Sequence, residues 1–581
     1  MKRLALILIV IILAIAAIAY TFHVTRKARG STIASLLPRD TIALVHIPDF
    51  RRTRDQWHQS DIYQLWHESA VQEFLRQPLT TFPSNNVVSE ILQELEQLDA
   101  KEFFVALTSI EARSAGFVAG FRFRGSRDAA NPVITKWRAR LLGENPNSRR
   151  EKIAYREHEI DVAAVPAFAL ATAYDGRWFF ASNDIEKLKE LLDRADKRSP
   201  APSTQPRGAQ DRQLALQSDE AYRAAIAHIP SDYALLVYLQ PKAIAEKLAS
   251  IGAALGQQIA SDQYSALRRI NSICASTRFE HGKIHDVLFT GVDQLASQRQ
   301  LTRSSATLGT TDTFFYLATL IDSKNWGGLG SAASITPVGG WLEKFLRTLS
   351  TNGVTAEGWN SAFDPELSSL AEWPPTAHWP SFFVTVPVKD PVRADQVARV
   401  ITTAIDEDGR WMKSEKDGVR YFSLETPVRL FALTPTIALS ERLLVAGLDP
   451  VSVEAAMKRN SESAGLSNSQ SYRAAARALP PPTNLFAYID TAVLYSRLDS
   501  TLRPMLLLGA AFLPAISARV ALDKLPAPET VTKHLSPIVS SQRADRDGYV
   551  SESLGPVTLN QAALALAAAA IYSAVARQPT H

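Results

Sequence analysis

Residues 218–239, SDEAYRAAIAHIPSDYALLVYL, return 250 residues later as NSQSYRAAARALPPPTNLFAYI. Tyr222, Arg223, Ala224, Ala225, Pro230, Leu235 and Tyr238 are matched without a gap by Tyr472, Arg473, Ala474, Ala475, Pro480, Leu485 and Tyr488. A helix, a proline turn and a strand used twice point to a chain built from two like halves. At an offset of 266, Phe117, Val118 and Tyr155 fall on Phe383, Val384 and Tyr421; at 265, Ala181 and Asp184 fall on Ala446 and Asp449. The offset then drops to 250 between residues 184 and 218, where KRSPAPSTQPRGAQDRQ carries Pro200, Pro202 and Pro206. A polar, proline-punctuated run of this kind buries too little apolar surface to fold, so it is a natural place for an insertion. The expected division is residues 1–30 as a membrane anchor or signal segment, 31–300 as the first half and 301–581 as the second.

Ile42 to Ile47 form an apolar, partly β-branched run after Pro38-Arg39-Asp40, as a strand after a turn would. Similar turn-and-strand units occur at 229–239, 310–320 and 479–489. Strands are expected near 103–107, 117–123 and 179–182, with a helix at 130–142; the second half repeats this with strands at 382–388 and 443–447 and a helix at 392–406. Short links between consecutive strands imply antiparallel pairing. The expected fold is α+β: an N-terminal membrane helix, then two duplicated halves, each an antiparallel sheet with packed helices. Ile244, Leu248, Ile251, Leu255 and Ile259 share one helical face, and ICASTRFEHGKIHDVLFTG reads as a hairpin turning at His281-Gly282-Lys283. The copies differ most where 505–516, MLLLGAAFLPAI, stands against 244–259. Apolar all round and interrupted by Pro514, 505–516 is expected to be a buried, kinked helix. The alanine-rich 559–576 reads as a packed or docking helix.

Residues 4–20, LALILIVIILAIAAIAY, carry no charge and lie between Lys2-Arg3 and Arg26, Lys27 and Arg29. At 1.5 Å per residue they approach the length that spans about 30 Å of hydrocarbon. The run is longer than a usual signal-peptide core, and basic residues follow it, which favours an uncleaved anchor over cleavage at Ala17-Ile18-Ala19. The expected location is a single pass through the cell inner membrane, with the globular part periplasmic or extracellular.

Of 581 residues, 46% are apolar and 21% charged, enough for proper cores, and the net charge of +4 implies no basic surface for nucleic acid. Cys274 is the single cysteine, so neither an internal disulfide nor a multi-cysteine metal site can form. His281 and His285 are four apart but flank a hairpin turn, and they read as exposed strand histidines rather than metal ligands. The glycine-rich Trp326–Gly330 lacks the ending of a phosphate-binding loop; Asp406 with Glu407, and Asp545 with Asp547, sit in polar loops; Asp40 and Asp232 read as turn formers. No catalytic, cofactor-binding or metal-ligating residue is assigned and no cofactor is expected, although a site assembled from distant residues leaves no local motif.

LLPRDTIALVHIPDF, the helix-proline-strand units around Pro230 and Pro480, and the anchor before them resemble an uncharacterised bacterial family of membrane-anchored proteins with LPADT-like strand openings. The resemblance covers most of the chain loosely and implies no activity or site residues. The expected function is a non-enzymatic interaction or scaffold module held to the membrane through residues 4–20, with a protein partner. Binding of a lipid or other apolar ligand near 505–516, and an enzyme with a dispersed site, are the alternatives. The full chain is expected to stay with the membrane pellet through an alkaline carbonate wash, and deletion of residues 4–20 to release it, as read by immunoblot.

Overall fold

Pleating explains the strands residue by residue: Leu44 and His46 are buried while Val45 between them is exposed. A computed structural model describes residues 32–562 apart from 82–93, 95–96, 112–114, 143–148, 166–167, 197–214, 255–264, 294–299, 322–346, 406–409, 425–433, 460–464 and 513–523. The expected membrane helix at 4–20 lies outside the described residues, as do 197–214 and most of 559–576; among the described residues no helix is long and apolar enough to cross a membrane.

The strands are β1 (Ala43–Ile47), β2 (Ala100–Ile110), β3 (Ala115–Phe123), β4 (Arg149–Tyr155), β5 (His158–Val165), β6 (Phe168–Asp175), β7 (Trp178–Ser182), β8 (Leu235–Leu239), β9 (Ile270–Glu280) and β10 (Lys283–Val292). They continue as β11 (Thr313–Leu320), β12 (Glu366–Glu372), β13 (Ser381–Pro387), β14 (Trp411–Lys416), β15 (Val419–Leu424), β16 (Thr436–Leu439), β17 (Leu443–Gly447), β18 (Leu485–Ile489), β19 (Ile538–Asp545) and β20 (Gly548–Gly555). Side by side, the first ten run 4-5-6-7-3-2-1-8-9-10, every neighbour antiparallel. The next ten run 14-15-16-17-13-12-11-18-19-20, the same order.

Instead of two separate sheets there is one 20-stranded sheet, because β10 pairs with β20 and neither of these two strands is left as an edge. This seam runs from Ile284 opposite Gly555 to Gly291 opposite Gly548, with Val287 opposite Glu552 at its centre. Cys274 and Phe289 pair as Val539 and Leu554 do, 265 residues on. At that offset the seam is self-complementary: His285 faces Leu554, the counterpart of Phe289, and Phe289 faces Val550, the counterpart of His285. Such a relation is that of a two-fold interface within one chain.

Pairing register also corrects two sequence matches. Val118 opposes Ser182 as Phe383 opposes Gly447, so Val118, not Phe117, occupies the place of Phe383. Burial agrees, with Val118 and Phe383 each 1% exposed. Likewise Ile160, not Tyr155, takes the place of Tyr421, since Ile160 pairs with Ala173 and Tyr421 with Ala438. A hairpin of different length shifts the local offset there.

The Tyr-Arg-Ala-Ala repeat has a packing reason. Helices Glu220–Ile226 and Gln470–Arg477 each begin at a cap, where Asp219 accepts from the Tyr222 amide and Ser469 from the Tyr472 amide. The capped tyrosine then lies edge-on to the strand tyrosine of its own half, Tyr222 on Tyr238 at 5.0 Å and Tyr472 on Tyr488 at 5.3 Å. On the same face, Arg194 Nε donates to the Leu36 carbonyl and Arg459 Nε to the Leu308 carbonyl, both at 2.7 Å. These helices close one core over Leu44, Phe104, Phe180 and Tyr238 and another over Tyr316, Phe383, Val445 and Tyr488. On the opposite face, helix Arg127–Leu142 covers Phe121 and Phe179, and helix Pro391–Ile405 covers Val386 and Ile437.

The hairpin at His281-Gly282 forms as expected, with φ of 50° and 82°, the left-handed pair that a two-residue turn between antiparallel strands requires. A β-carbon on Gly548 would collide with the Thr290 carbonyl oxygen and lie 2.9 Å from Gly291 Cα across the seam. Gly548→Ala is expected to lower stability in urea unfolding by about 1–3 kcal/mol. Gly125→Ala, where the new carbon meets nothing within 4 Å, is expected to leave it nearly unchanged.

Candidate functional site

The residues singled out in the sequence scatter. His281 is exposed in its turn, but His285 is buried, 4% exposed, contrary to expectation, because β10 is paired on both sides. Asp40 and Asp232 lie in turns, the Asp232 carboxylate 3.8 Å from Arg278 Nη1. Asp545 ends β19 and faces His228 at 3.5 Å. Trp326–Gly330, Asp406 and Glu407 lie outside the described residues. Over 505–516, the expected buried helix is instead the end of a longer one, Thr491–Phe512, on which Met505 is 51% and Leu506 38% exposed. Asp490 caps its start and Asp499 pairs with Arg503 one turn along. Residues 513–516 lie outside the described residues.

Functional chemistry is better sought where equivalent positions of the two halves carry different residues. His46 and Ala318 are equivalent, paired with Leu236 and Phe486; so are Phe104 and Ser368, Gly120 and Thr385, Arg122 and Pro387, and Trp178 and Leu443. Two residues before Phe104 and Ser368 each half carries a glutamate, Glu102 or Glu366, and both are buried.

In the first half this place is filled. Arg122 Nη2 reaches Glu102 Oε2 at 2.9 Å, His46 Nε2 lies 3.1 Å from Oε1, and His46 Nδ1 lies 2.8 Å from the Tyr233 hydroxyl. Arg122 also lies over the Trp178 ring at 5.6 Å, and Trp178 stacks on Phe180. Phe104 packs so closely that a β-carbon on Gly120 would come within 2.6 Å of its ring. The buried carboxylate thus has a built-in counter-charge.

In the second half the same place is open. Glu366 Oε2 accepts from the Thr302 amide and hydroxyl, both at 2.7 Å, and from the Arg303 amide at 3.2 Å. Among the described residues its Oε1 has no partner, and neither has the buried Thr385 hydroxyl. Both residues line a cavity of about 50 Å³ shared with Ser304, Ser305, Ser368, Pro387 and Leu443. Ser305 donates to Ser368 at 2.6 Å and lies 3.0 Å from the Tyr316 hydroxyl, whose ionisation burial opposes strongly. Unlike the apolar Phe104, Ser368 leaves room and offers oxygen. The sequence holds only a weak trace of this: Glu366 opens β12 and Glu102 is the third residue of β2, but the partners that distinguish them sit on other strands.

Two further clusters surround the sheet. At the seam, His285 Nε2 is 3.3 Å from Glu552 and its Nδ1 is 3.3 Å from Glu280, while Arg278 bridges to Glu280 at 2.7 Å and Arg543 to Glu552 at 2.5 Å. Burial pushes the Glu552 carboxyl up, but hydrogen bonds from His285 and Arg543 outweigh it and hold it below the usual range. His158, Asp175 and Asp196 bring ligand atoms within 4.8 Å of one another, a group that residue spacing did not reveal. His158 and Asp196 are already hydrogen-bonded at 3.1 Å.

No protein-family model and no curated protein matches the chain. Among solved structures, crystal form III of TP0453 overlaps 45% of this chain and 80% of its own at 8% identity, with a TM-score of 0.22. Crystal forms I and IV of the same protein each overlap 46% of this chain and 82% of their own, at 8% and 9% identity and again a TM-score of 0.22. At that score neither fold nor function carries over.

On the reverse side of the seam strand, Asp286 is 5% exposed. Burial raises its pKa, partly offset by hydrogen bonds from Thr558 and Thr277 and by the charge of His285. A carboxyl that holds its proton longer in the folded state favours folding least once it is ionised, so its penalty grows as pH rises above the ordinary value of 3.8. Asp286→Asn is therefore expected to melt higher than wild type at pH 7, with the difference in Tm shrinking toward zero as pH falls to the ordinary aspartate range, as read by calorimetry across pH.

Proposed function

We propose that the protein is a membrane-tethered, non-enzymatic interaction module that arose by internal duplication, held through residues 4–20 in the inner membrane with its sheet on the periplasmic or extracellular side. The shared strand order and the self-complementary seam support the duplication. The observation that carries the interaction reading is an apolar row on a solvent-facing side of the sheet. Val45 and Val105 are direct cross-strand partners, 36% and 38% exposed, and Val237 pairs with Val45 on the other side. In the second half Phe382 and Val384 stand two apart on β13, 44% and 37% exposed. A solvated face of an antiparallel sheet ordinarily carries polar residues, and neighbouring exposed apolar side chains favour a partner surface. A second reading, an apolar ligand, draws on the exposed Met505 and Leu506 of helix Thr491–Phe512.

A photo-crosslinking residue at Val105 of the full-length protein, in its own membrane, is expected to give a discrete protein adduct, while one at the exposed Lys152 gives none. Adducts at neither Val105 nor Phe382 would refute the reading, and adducts to lipid alone would favour the apolar-ligand one.

A further inference from the structure

The geometry points to a monovalent-cation site in the cavity beside Glu366, with Glu366 Oε1 and Thr385 Oγ1 as two of its oxygen ligands. This rests on the cavity alone and stands apart from the interaction reading.

Charge is the first argument. Glu366 is 5% exposed, and among the described residues no basic side chain pairs with it. At the equivalent place, Glu102 has the Arg122 guanidinium at 2.9 Å, yet the residue equivalent to Arg122 is the neutral Pro387. A buried carboxylate without a counter-charge is costly, and a cation entering from solvent would do for Glu366 what Arg122 does for Glu102.

Ligand chemistry is the second. The unpartnered atoms are a carboxylate oxygen and a hydroxyl oxygen, both more than nine-tenths buried residues, and Ser304 and Ser368 add further hydroxyls to the wall. Hard oxygen donors suit alkali ions or ammonium; an anion is repelled by the carboxylate. A divalent ion ordinarily takes more carboxylate charge than one residue supplies, whereas a single positive charge balances one glutamate. A cavity of about 50 Å³ has room for one such ion with water, since roughly 10–15 Å³ admits one water-sized body. Ser304 is exposed, so the wall reaches the surface and gives a path in.

The test is thermal unfolding of the purified full-length protein in sodium, potassium or ammonium chloride against choline chloride at the same ionic strength. At least one small cation is expected to raise Tm saturably above choline. Thr385→Val, which removes one ligand and keeps the shape, should raise the half-saturating concentration by about tenfold. Glu366→Gln should abolish the difference, while Glu102→Gln should preserve it. Should Glu366→Gln fail to fold, Thr385→Val decides. A crystal soaked in thallium(I), a heavy stand-in for potassium, should show an anomalous peak within coordination distance of both oxygens. Equal Tm in all salts, a cation effect untouched by Thr385→Val, or water alone in the cavity would overturn the site.

Discussion

Everything in this fold hangs on the antiparallel pairing of β10 with β20. Each strand would otherwise be a long exposed edge, with a row of unpaired amides and carbonyls open to any other strand. Pairing them to each other satisfies both rows at once and turns two ten-stranded arrays into one sheet. The small residues at one end of the seam, Gly291 opposite Gly548, let the backbones approach, and Val287 opposite Glu552 marks the point about which the arrays relate.

Packing around each array follows from residues that recur. Tyr222 and Tyr472 tie a short capped helix to a strand tyrosine, and Arg194 and Arg459 tie another helix to the carbonyl that ends a short helical turn. Around these fixed ties, loops are free to change length. From Tyr238 to Cys274 is 36 residues, while from Tyr488 to Val539 is 51, and the longer link includes helix Thr491–Phe512 with its exposed Met505. The interior changes too: Phe104 against Ser368 is the difference between a filled core and a cavity.

How much of this could be read from the chain depends on how local the signal was. The hairpin at His281-Gly282 was legible because two left-handed positions leave a mark in two adjacent residues. The helix at Gln470–Arg477 was legible because its tyrosine and its cap lie three residues apart. The match of Phe117 to Phe383 went astray by one residue, since like residues on adjacent positions of a strand look the same until pairing says which faces the core. His285 was misjudged as exposed because its burial comes from β20, which lies far along the chain. The cavity beside Glu366 was invisible for the same reason: it results from substitutions on four strands, each unremarkable alone.

The centre of the seam carries a consequence for how such a chain can evolve. In an assembly of two identical subunits, whatever residue sits on the rotation axis must confront its own copy, and a glutamate there would meet another glutamate. Here the position holds Val287 on one side and Glu552 on the other, so the acid faces a valine, with the Arg543 guanidinium as its counter-charge and the His285 ring within hydrogen-bond distance. Joining the two arrays in one chain also makes their encounter independent of how much protein is present. Symmetry then ceases to be a requirement, and each side of the axis is free to acquire chemistry the other could not tolerate.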